Sequence, residues 1–246
     1  LLGFLKVQGF KSLITRAEKE YNVSAADIDI VELPVDTKAS ALVPAQASPV
    51  TFTKATTVEH IEAFSNNLER CHYLSIACEM VKDSNLIASI SLLDNEQRQG
   101  LYIPIGETAV LQPSLLDEDN STFCSLDNTL TLLKLILEDS AILKVGYNLK
   151  PFFKRLLDHG ISCQAYADVM VMSYILSAGV HDQALPTILE TTLSEVMPEL
   201  ELEQNSVKEK YPTTLHANDE AALAYCSAHH SLLVQTYQHL QQQLFT

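Results

Sequence analysis

Residues 142–160 of this 246-residue chain read ILKVGYNLKPFFKRLLDHG and change from the pattern of a strand to that of a helix. The first of these residues, 142–145, form a short apolar run typical of a buried strand. The residues from Pro151 to His159 have the spacing of a helix, and Gly160 is expected to end it, because glycine readily adopts the backbone conformation that follows a helix. The segment therefore predicts one strand followed by one helix.

A second strand-helix unit follows directly, over residues 162–176. Asp168 lies where its helix would begin, and an Asp side chain at that position can accept hydrogen bonds from the first free backbone N–H groups. The chain then closes with a long helix predicted from about Asn218 to Leu244. The core stripe of this helix is expected to consist of Leu233, Tyr237, Leu240 and Leu244.

Three short strands are predicted before these units, at residues 73–78, 86–93 and 101–105. Turn-prone residues separate them at 82–85 and 94–96, as expected of an antiparallel meander.

The compact part of the chain is predicted to begin near Val50, with a short strand at 51–53 and a helix over 57–67. A further helical period covers 126–137. Three antiparallel strands followed by strand-helix units predict an α/β fold, in which a mixed sheet of antiparallel and parallel strands is flanked by helices.

The first 49 residues differ in composition from the rest of the chain. Residues 1–21 place apolar side chains among charged ones, which predicts one or two short amphipathic helices. Residues 22–49 are rich in Ala, Ser, Val and acidic residues, contain three prolines and follow no period, so an extended linker is expected there. The predicted organisation is a helical segment and linker at 1–49 and a domain at 50–246.

Composition excludes several classes of protein. Hydrophobic residues make up 47% of the chain without a run long enough to cross a bilayer, so no membrane partner is expected. Lys and Arg number 16 against 31 Asp and Glu, and the net charge of −15 confines any nucleic-acid contact to a local surface. The five cysteines are widely spaced and form no C-x-x-C pair, which argues against a structural zinc site and is typical of a reduced, cytoplasmic protein.

Four segments together resemble the 3'-5' exonuclease domain of bacterial DNA polymerase I, in the RNase H-like exonuclease superfamily. They are LSIACE at 74–79, LYIPI at 101–105, ILKVGYNLK at 142–150 and AYCSAH at 224–229. The sequence GFKSL at 9–13 is similar to the end of the 5'-nuclease region that precedes this domain. The resemblance implies the RNase H-like exonuclease fold and a role in DNA replication and repair. It also implies partners: the polymerase and 5'-nuclease domains of one parent chain, with DNA reached through the polymerase.

The resemblance also assigns positions to the family's catalytic residues, which are four acidic ligands of two divalent metals and one tyrosine. The ligand positions hold Ala77, Glu79, Phe152 and His229, and Tyr225 stands at the tyrosine position. Two-metal hydrolysis needs several hard oxygen ligands, and a lone carboxylate cannot neutralise two divalent ions. No catalytic residue is therefore expected to be functional, no metal or other cofactor is expected, and Phe152 is expected to fill the metal's space beside Ala77.

Three hypotheses for function remain open at this point. The first is a catalytically inactive exonuclease-like domain that supports the polymerase body. The second is an active 3'-5' exonuclease that holds Mg²⁺ or Mn²⁺ with atypical ligands, and the third is a protein-docking module on the acidic surface. A single transition-metal ion bound by Glu79 with His229 or His230 is a further alternative, because carboxylate and imidazole suit such ions.

The densest basic group of the chain consists of Lys144, Lys150, Lys154 and Arg155. Such a group can contact the phosphate backbone of DNA, and it is the predicted DNA-binding surface. The alternative is that some of these side chains only solvate the exposed face of the helix after Pro151.

Overall fold

A computed structural model describes residues 15, 16, 19, 49–81, 86–106, 123–179, 182–196 and 219–245. The chain divides into two units, Leu1–Ala47 and Ser48–Thr246. In the first unit, Thr15, Arg16 and Lys19 are helical and exposed. The rest of the predicted segment at 1–21, the linker at 22–48 and the predicted turn at 82–85 lie outside the described residues.

Six strands form one mixed sheet in the second unit, in the order β1-β4-β3-β2-β5-β6. Strands β2, β3 and β4 pair antiparallel, whereas β1 runs parallel to β4, β5 to β2, and β6 to β5. This arrangement confirms the predicted meander with added parallel strands. The strands are β1 (Thr51–Lys54), β2 (Tyr73–Met80), β3 (Ile87–Asp94), β4 (Gln99–Pro104), β5 (Leu143–Gly146) and β6 (Tyr166–Asp168).

Six α-helices accompany the sheet within the described ranges. They are α1 (Val58–Asn66), α2 (Leu126–Glu138), α3 (Lys150–Asp158), α4 (Val169–Ser177), α5 (Leu185–Leu193) and α6 (Asp219–Leu244). Helix α5 is absent from the sequence predictions. It carries Pro186 in its first turn, where a helix tolerates proline. None of the described helices is long and apolar enough to cross a membrane.

The strand-helix unit at the centre of the sequence forms as predicted. Strand β5 leads into α3, and Gly160 ends this helix in a left-handed conformation with φ +68°. The N–H groups of Gly160 and Ile161 donate to the carbonyls of Leu157 and Leu156 at 3.0 and 2.9 Å, and these bonds satisfy the free end of the helix.

The two faces of the sheet bury different groups of side chains. Helices α1, α2 and α3 pack with strand residues such as Ile76 into the largest core cluster. Helices α4, α5 and α6 bury a second cluster around Val145, in which Leu233, Tyr237 and Leu240 take part as predicted. Helices therefore cover both faces of the sheet. The buried residues of α6 pack against the face that also carries the candidate site.

Candidate functional site

Strand β2 and helix α6 bring four of the sequence-predicted site residues around one cavity. Ala77 and Glu79 lie two residues apart on β2, so their side chains share one face of the sheet. Tyr225 and His229 lie four residues apart on α6, and this spacing places them on one face of the helix. All four line a cavity of about 210 Å³.

Five further residues complete the lining of this cavity, which we call the β2–α6 cavity. Ser91 lies directly opposite Ala77 in the pairing of β2 with β3. Tyr147 follows strand β5 and donates its hydroxyl proton to the carbonyl of Gln183 at 2.9 Å. The remaining lining residues are Cys78, Leu185 and Cys226. The walls are thus mostly aromatic, aliphatic or neutral polar groups.

Glu79 supplies the negative charge of the cavity. The hydroxyl of Ser89, its cross-strand neighbour on β3, donates to Glu79 Oε2 at 3.0 Å. The register of β2 against β3 shifts immediately after Glu79, and such irregularities change the direction of neighbouring side chains. Burial and then the charge of Glu79 raise the pKa values of Tyr225 and Cys226 to about 12. Both groups therefore keep their protons at neutral pH and do not act as anionic ligands.

His229 contributes no charge to the cavity. Its ring stacks on that of Tyr225, with centroids 5.8 Å apart and planes 5° from parallel. Burial lowers the pKa of His229 to about 4, so the imidazole is neutral at pH 7.

His230, the next residue, is fully buried between two serines of the sheet. Its Nδ1 lies 2.8 Å from Ser75 Oγ on β2, and its Nε2 lies 2.8 Å from Ser91 Oγ on β3. Burial, followed by the neighbouring His229, lowers the pKa of His230 well below its usual range. Because both ring nitrogens are engaged by serine hydroxyls, His230 does not offer a free ligand to a metal ion.

Phe152 is buried as expected, with 2% of its surface exposed, but it lies outside the β2–α6 cavity. It belongs to the core cluster of Ile76 on the other face of the sheet. Successive side chains alternate along β2, so the face that carries Ile76 is opposite the face that carries Ala77. The expectation that Phe152 fills the space beside Ala77 is therefore wrong. Phe152 instead lines a neighbouring cavity of about 240 Å³, which shares Cys78 and Tyr147 with the first.

Asp168 holds the turn between β5 and α3 in place beside these cavities. Its carboxylate accepts hydrogen bonds from the backbone N–H groups of Asn148 at 2.9 Å, Leu149 at 2.8 Å and Met170 at 3.0 Å. The bond from Met170 confirms the predicted helix cap. The other two bonds were beyond sequence reasoning, although Asn148 takes a left-handed conformation, φ +51°, that Asn adopts more readily than most residues.

The residues around the β2–α6 cavity do not fit a pair of divalent cations. Glu79 is the single carboxylate among the described residues that line it. In the described part of the chain, no group of three or more His, Cys, Asp and Glu side chains is arranged to hold a metal ion. Two divalent ions need several hard oxygen ligands, and the neutral imidazole of His229 does not replace them.

The predicted basic group is divided by the structure. Lys144 is fully buried, and its ammonium donates to the carbonyls of Asp139 and Ile142. Burial lowers the pKa of Lys144. It therefore cannot touch a phosphate backbone, and its inclusion in the DNA-binding group is wrong. Lys150 and Lys154 are exposed on α3, whereas Arg155 is half-buried.

Comparison with known proteins identifies similar chains. The family described as 3'-5' exonuclease matches residues 52–245. DNA polymerase I of Rhizobium leguminosarum is 36% identical over 66 residues, which are 27% of this chain and 6% of that protein. The chain thus matches only a small part of this curated relative.

Solved structures share the fold. RNase D of Trypanosoma brucei superimposes with a TM-score of 0.57 at 11% identity, over 78% of this chain and 64% of that one. The POL domain of Pol1 from M. smegmatis, in complex with DNA primer-template and dNTP, superimposes with a TM-score of 0.51 at 13% identity, over 78% of this chain and 27% of that one. At these identities the likeness shows the RNase H-like exonuclease fold.

Proposed function

The chain belongs to the 3'-5' exonuclease domain family of DNA polymerase I, and from this membership we propose that residues 50–246 form a catalytically inactive member of it. The domain would support the polymerase body of its parent protein without cleaving DNA. The observation that carries this proposal is the β2–α6 cavity, in which Glu79 is the single carboxylate among the described lining residues.

The chemistry of the cavity supports the loss of hydrolysis. Two divalent cations bring four positive charges, and Glu79 can balance one of them. Ala77 offers a methyl group at a position where the family has an acid, and His229 is neutral at pH 7 because burial lowers its pKa to about 4. Without bound metal ions, nothing in this lining lowers the pKa of a water molecule enough to generate hydroxide.

The parent context is part of the same proposal. The match to DNA polymerase I of Rhizobium leguminosarum supports a chain that acts in DNA replication and repair. On this basis residues 1–49 are the end of a 5'-nuclease region and a linker, and the partners are the 5'-nuclease and polymerase domains of the same chain. DNA would be reached through the polymerase. The five free cysteines support a cytoplasmic location.

A nuclease assay tests the proposal directly. The purified chain is incubated with a 5'-labelled single-stranded oligonucleotide in Mg²⁺ or Mn²⁺, and product length is read on a denaturing gel. We expect no shortening beyond that seen with the matched variant Glu79→Gln. Metal-dependent release of mononucleotides that scales with protein concentration and disappears in Glu79→Gln would show an active enzyme.

One observation favours the alternative that the chain is an active 3'-5' exonuclease. Glu79, Tyr225 and His229 line the same cavity, so a carboxylate, a phenol and an imidazole do meet there. This set could hold one transition-metal ion at most, because only Glu79 and His229 are suitable ligands at neutral pH. Activity that appears in Mn²⁺ and is lost in both Glu79→Gln and His229→Gln would favour this alternative.

A further inference from the structure

The exposed side of helix α3 combines cationic and apolar residues in one stripe. Lys150, Phe153, Lys154 and Leu157 are spaced three, four and seven residues from the first, so they share one face of the helix. Both lysines are exposed, Phe153 is half-buried, and Leu157 is 65% exposed. This side of the helix therefore presents both cationic and apolar groups to solvent.

Tyr166 extends this stripe onto the edge of the sheet. It begins β6, an edge strand, and its side chain is 55% exposed. The ring of Phe153 meets the ring of Tyr166 edge to face, with centroids 4.6 Å apart and planes at 66°. This contact supports the phenol ring from one side and leaves other parts of it open to solvent.

The charges of the two lysines are not balanced locally. The structure gives neither Lys150 nor Lys154 an ion-pair partner among the residues that it describes. The acidic residue of α3, Asp158, pairs with Arg155 and not with either lysine: its Oδ2 lies 4.0 Å from Arg155 Nη1. These two lysines lie on the same helix face as Phe153, which contacts the exposed ring of Tyr166, in a chain whose net charge is −15.

We propose that this surface, made of Lys150, Phe153, Lys154, Leu157 and Tyr166 and called the α3 face below, binds single-stranded DNA. A base stacks on the exposed ring of Tyr166, and the two lysines contact successive phosphates. Surfaces that bind single strands combine stacking on aromatic side chains with a cationic track along the backbone. One helical turn separates the lysines, a rise of about 6 Å along the helix, so both can follow one strand.

The α3 face is separate from the β2–α6 cavity. None of its five residues lines that cavity or its neighbour. Its first residue, Lys150, nevertheless lies in the chain between Leu149 and Pro151, which both line the neighbouring cavity. The α3 face therefore offers DNA a binding surface that needs no metal and does not depend on whether the cavity hydrolyses anything.

Charge complementarity favours a nucleic acid over a protein as the occupant. Lysine is depleted in the cores of protein–protein interfaces, whereas lysines beside exposed aromatic rings suit a polyanion with unstacked bases.

Fluorescence anisotropy with a labelled 15-nucleotide oligothymidylate tests this surface. The assay is run in chelator, so that the strand stays intact whatever the cavity does, and at several KCl concentrations. We expect affinity to fall as salt rises. The variant Lys150→Gln/Lys154→Gln should bind about tenfold more weakly at low salt, and the slope of log K against log salt should be shallower by about 1.4, since each lost phosphate contact removes about 0.7.

Two further pairs of variants make the result specific. Arg16→Gln/Lys19→Gln removes two exposed cations elsewhere in the chain, and we expect it to bind like the wild type. Tyr166→Ala should weaken binding about tenfold, because it removes the ring on which a base stacks, whereas Tyr166→Phe keeps the ring and should bind like the wild type. Circular dichroism and thermal melting verify that each variant is folded.

Three outcomes would overturn the proposal. The first is no anisotropy change of the wild type at about 100 µM protein in low salt, the weak end of non-specific binding. The second is an equal loss of affinity in both double variants, which would assign binding to net charge alone. The third is unchanged affinity in all α3-face variants, the result expected if this surface contacts another protein.

Discussion

The rings of Tyr225 and His229 lie parallel to each other on α6, with centroids 5.8 Å apart and planes 5° from parallel. These two rings belong to the part of the β2–α6 cavity wall that comes from α6. At neutral pH this wall is uncharged, because burial holds the proton on Tyr225 and keeps it off His229. If His229 stands at a ligand position of the family, as we propose, this helix turn presents a neutral aromatic surface in place of a carboxylate.

Two neighbouring histidines of α6, the half-buried His229 and the fully buried His230, predict a loss of stability in acid. Above pH 6.5 both are neutral in the folded and unfolded chains, and they have no pH effect. Below pH 6.5 the two imidazoles bind protons in the unfolded chain but stay neutral in the folded chain. The free energy of unfolding therefore falls by up to about 1.4 kcal/mol per pH unit for each histidine. For His229 the fall ends near pH 4, its pKa in the folded state.

Urea unfolding at pH 7, 6 and 5 measures this effect. Carboxylates also titrate toward the acid end of the range, so the informative quantity is the difference between the wild type and His229→Gln. We expect a shallower fall in the variant. Equal slopes in the two proteins would show that His229 does not remain neutral when the chain is folded.

Restoring carboxylates to the β2–α6 cavity should make stability depend on metal. The variant Ala77→Asp/His229→Asp places three carboxylates, with Glu79, around one cavity, and their mutual repulsion should lower the melting temperature in chelator. Mn²⁺ should recover part of the loss, because an ion that binds the folded state stabilises it. Thermal melts with chelator and with Mn²⁺ measure both effects.

The matched control for this experiment is Ala77→Asn/His229→Asn, which has similar side-chain sizes without the charges. It should show no response to Mn²⁺. If the Asp variant also fails to respond to Mn²⁺, then Ala77, Glu79 and His229 do not converge closely enough to bind an ion.

Phe152→Asp should behave differently from those cavity variants. Phe152 is buried in the core cluster of Ile76, so the change removes a large apolar side chain and buries a carboxyl group. We expect a loss of unfolding free energy of at least about 3–5 kcal/mol, the cost of Phe to Ala in a core, and no recovery with Mn²⁺. Chemical denaturation with and without Mn²⁺ is the measurement. Metal-dependent rescue would place residue 152 at the cavity after all.

Removing the Asp168 carboxylate should destabilise the domain through its backbone contacts. Asp168→Ala leaves the N–H groups of Asn148, Leu149 and Met170 without their acceptor, and we expect a loss of about 2–4 kcal/mol in unfolding free energy. Asp168→Asn keeps one acceptor oxygen and should lose less. Urea denaturation compares these variants with Asp158→Ala, an exposed site where little change is expected. Equal effects at the two sites would contradict the role given to Asp168.

Local signals in the sequence were sufficient for most elements of the fold. Gly160 ends α3 and Asp168 caps α4 because both effects act within a few residues along the chain. The meander was likewise predictable, since short apolar runs alternate with turn residues.

Features that depend on distant residues could not be predicted in this way. His230 lies between Ser75 and Ser91, which are 155 and 139 positions away in the sequence. No local sequence pattern could therefore predict this contact. The burial of Lys144 was also not predictable from the sequence. Its ammonium donates to the carbonyls of Asp139 and Ile142, which come within reach only when the chain is folded. The side of the sheet on which Phe152 packs depends on where α3 docks, and a family resemblance does not report that docking.

Two backbone hydrogen bonds join the turn between β5 and α3 to the carboxylate of Asp168, a residue outside the lining of either cavity. A mutation at Ala77, Glu79, Tyr225 or His229 therefore removes neither of these two hydrogen bonds. Over evolutionary time, such a chain can exchange these four cavity side chains one at a time while each intermediate keeps the two hydrogen bonds of the turn. The side chains of the cavity and the hydrogen bonds of this turn can then change separately within one domain.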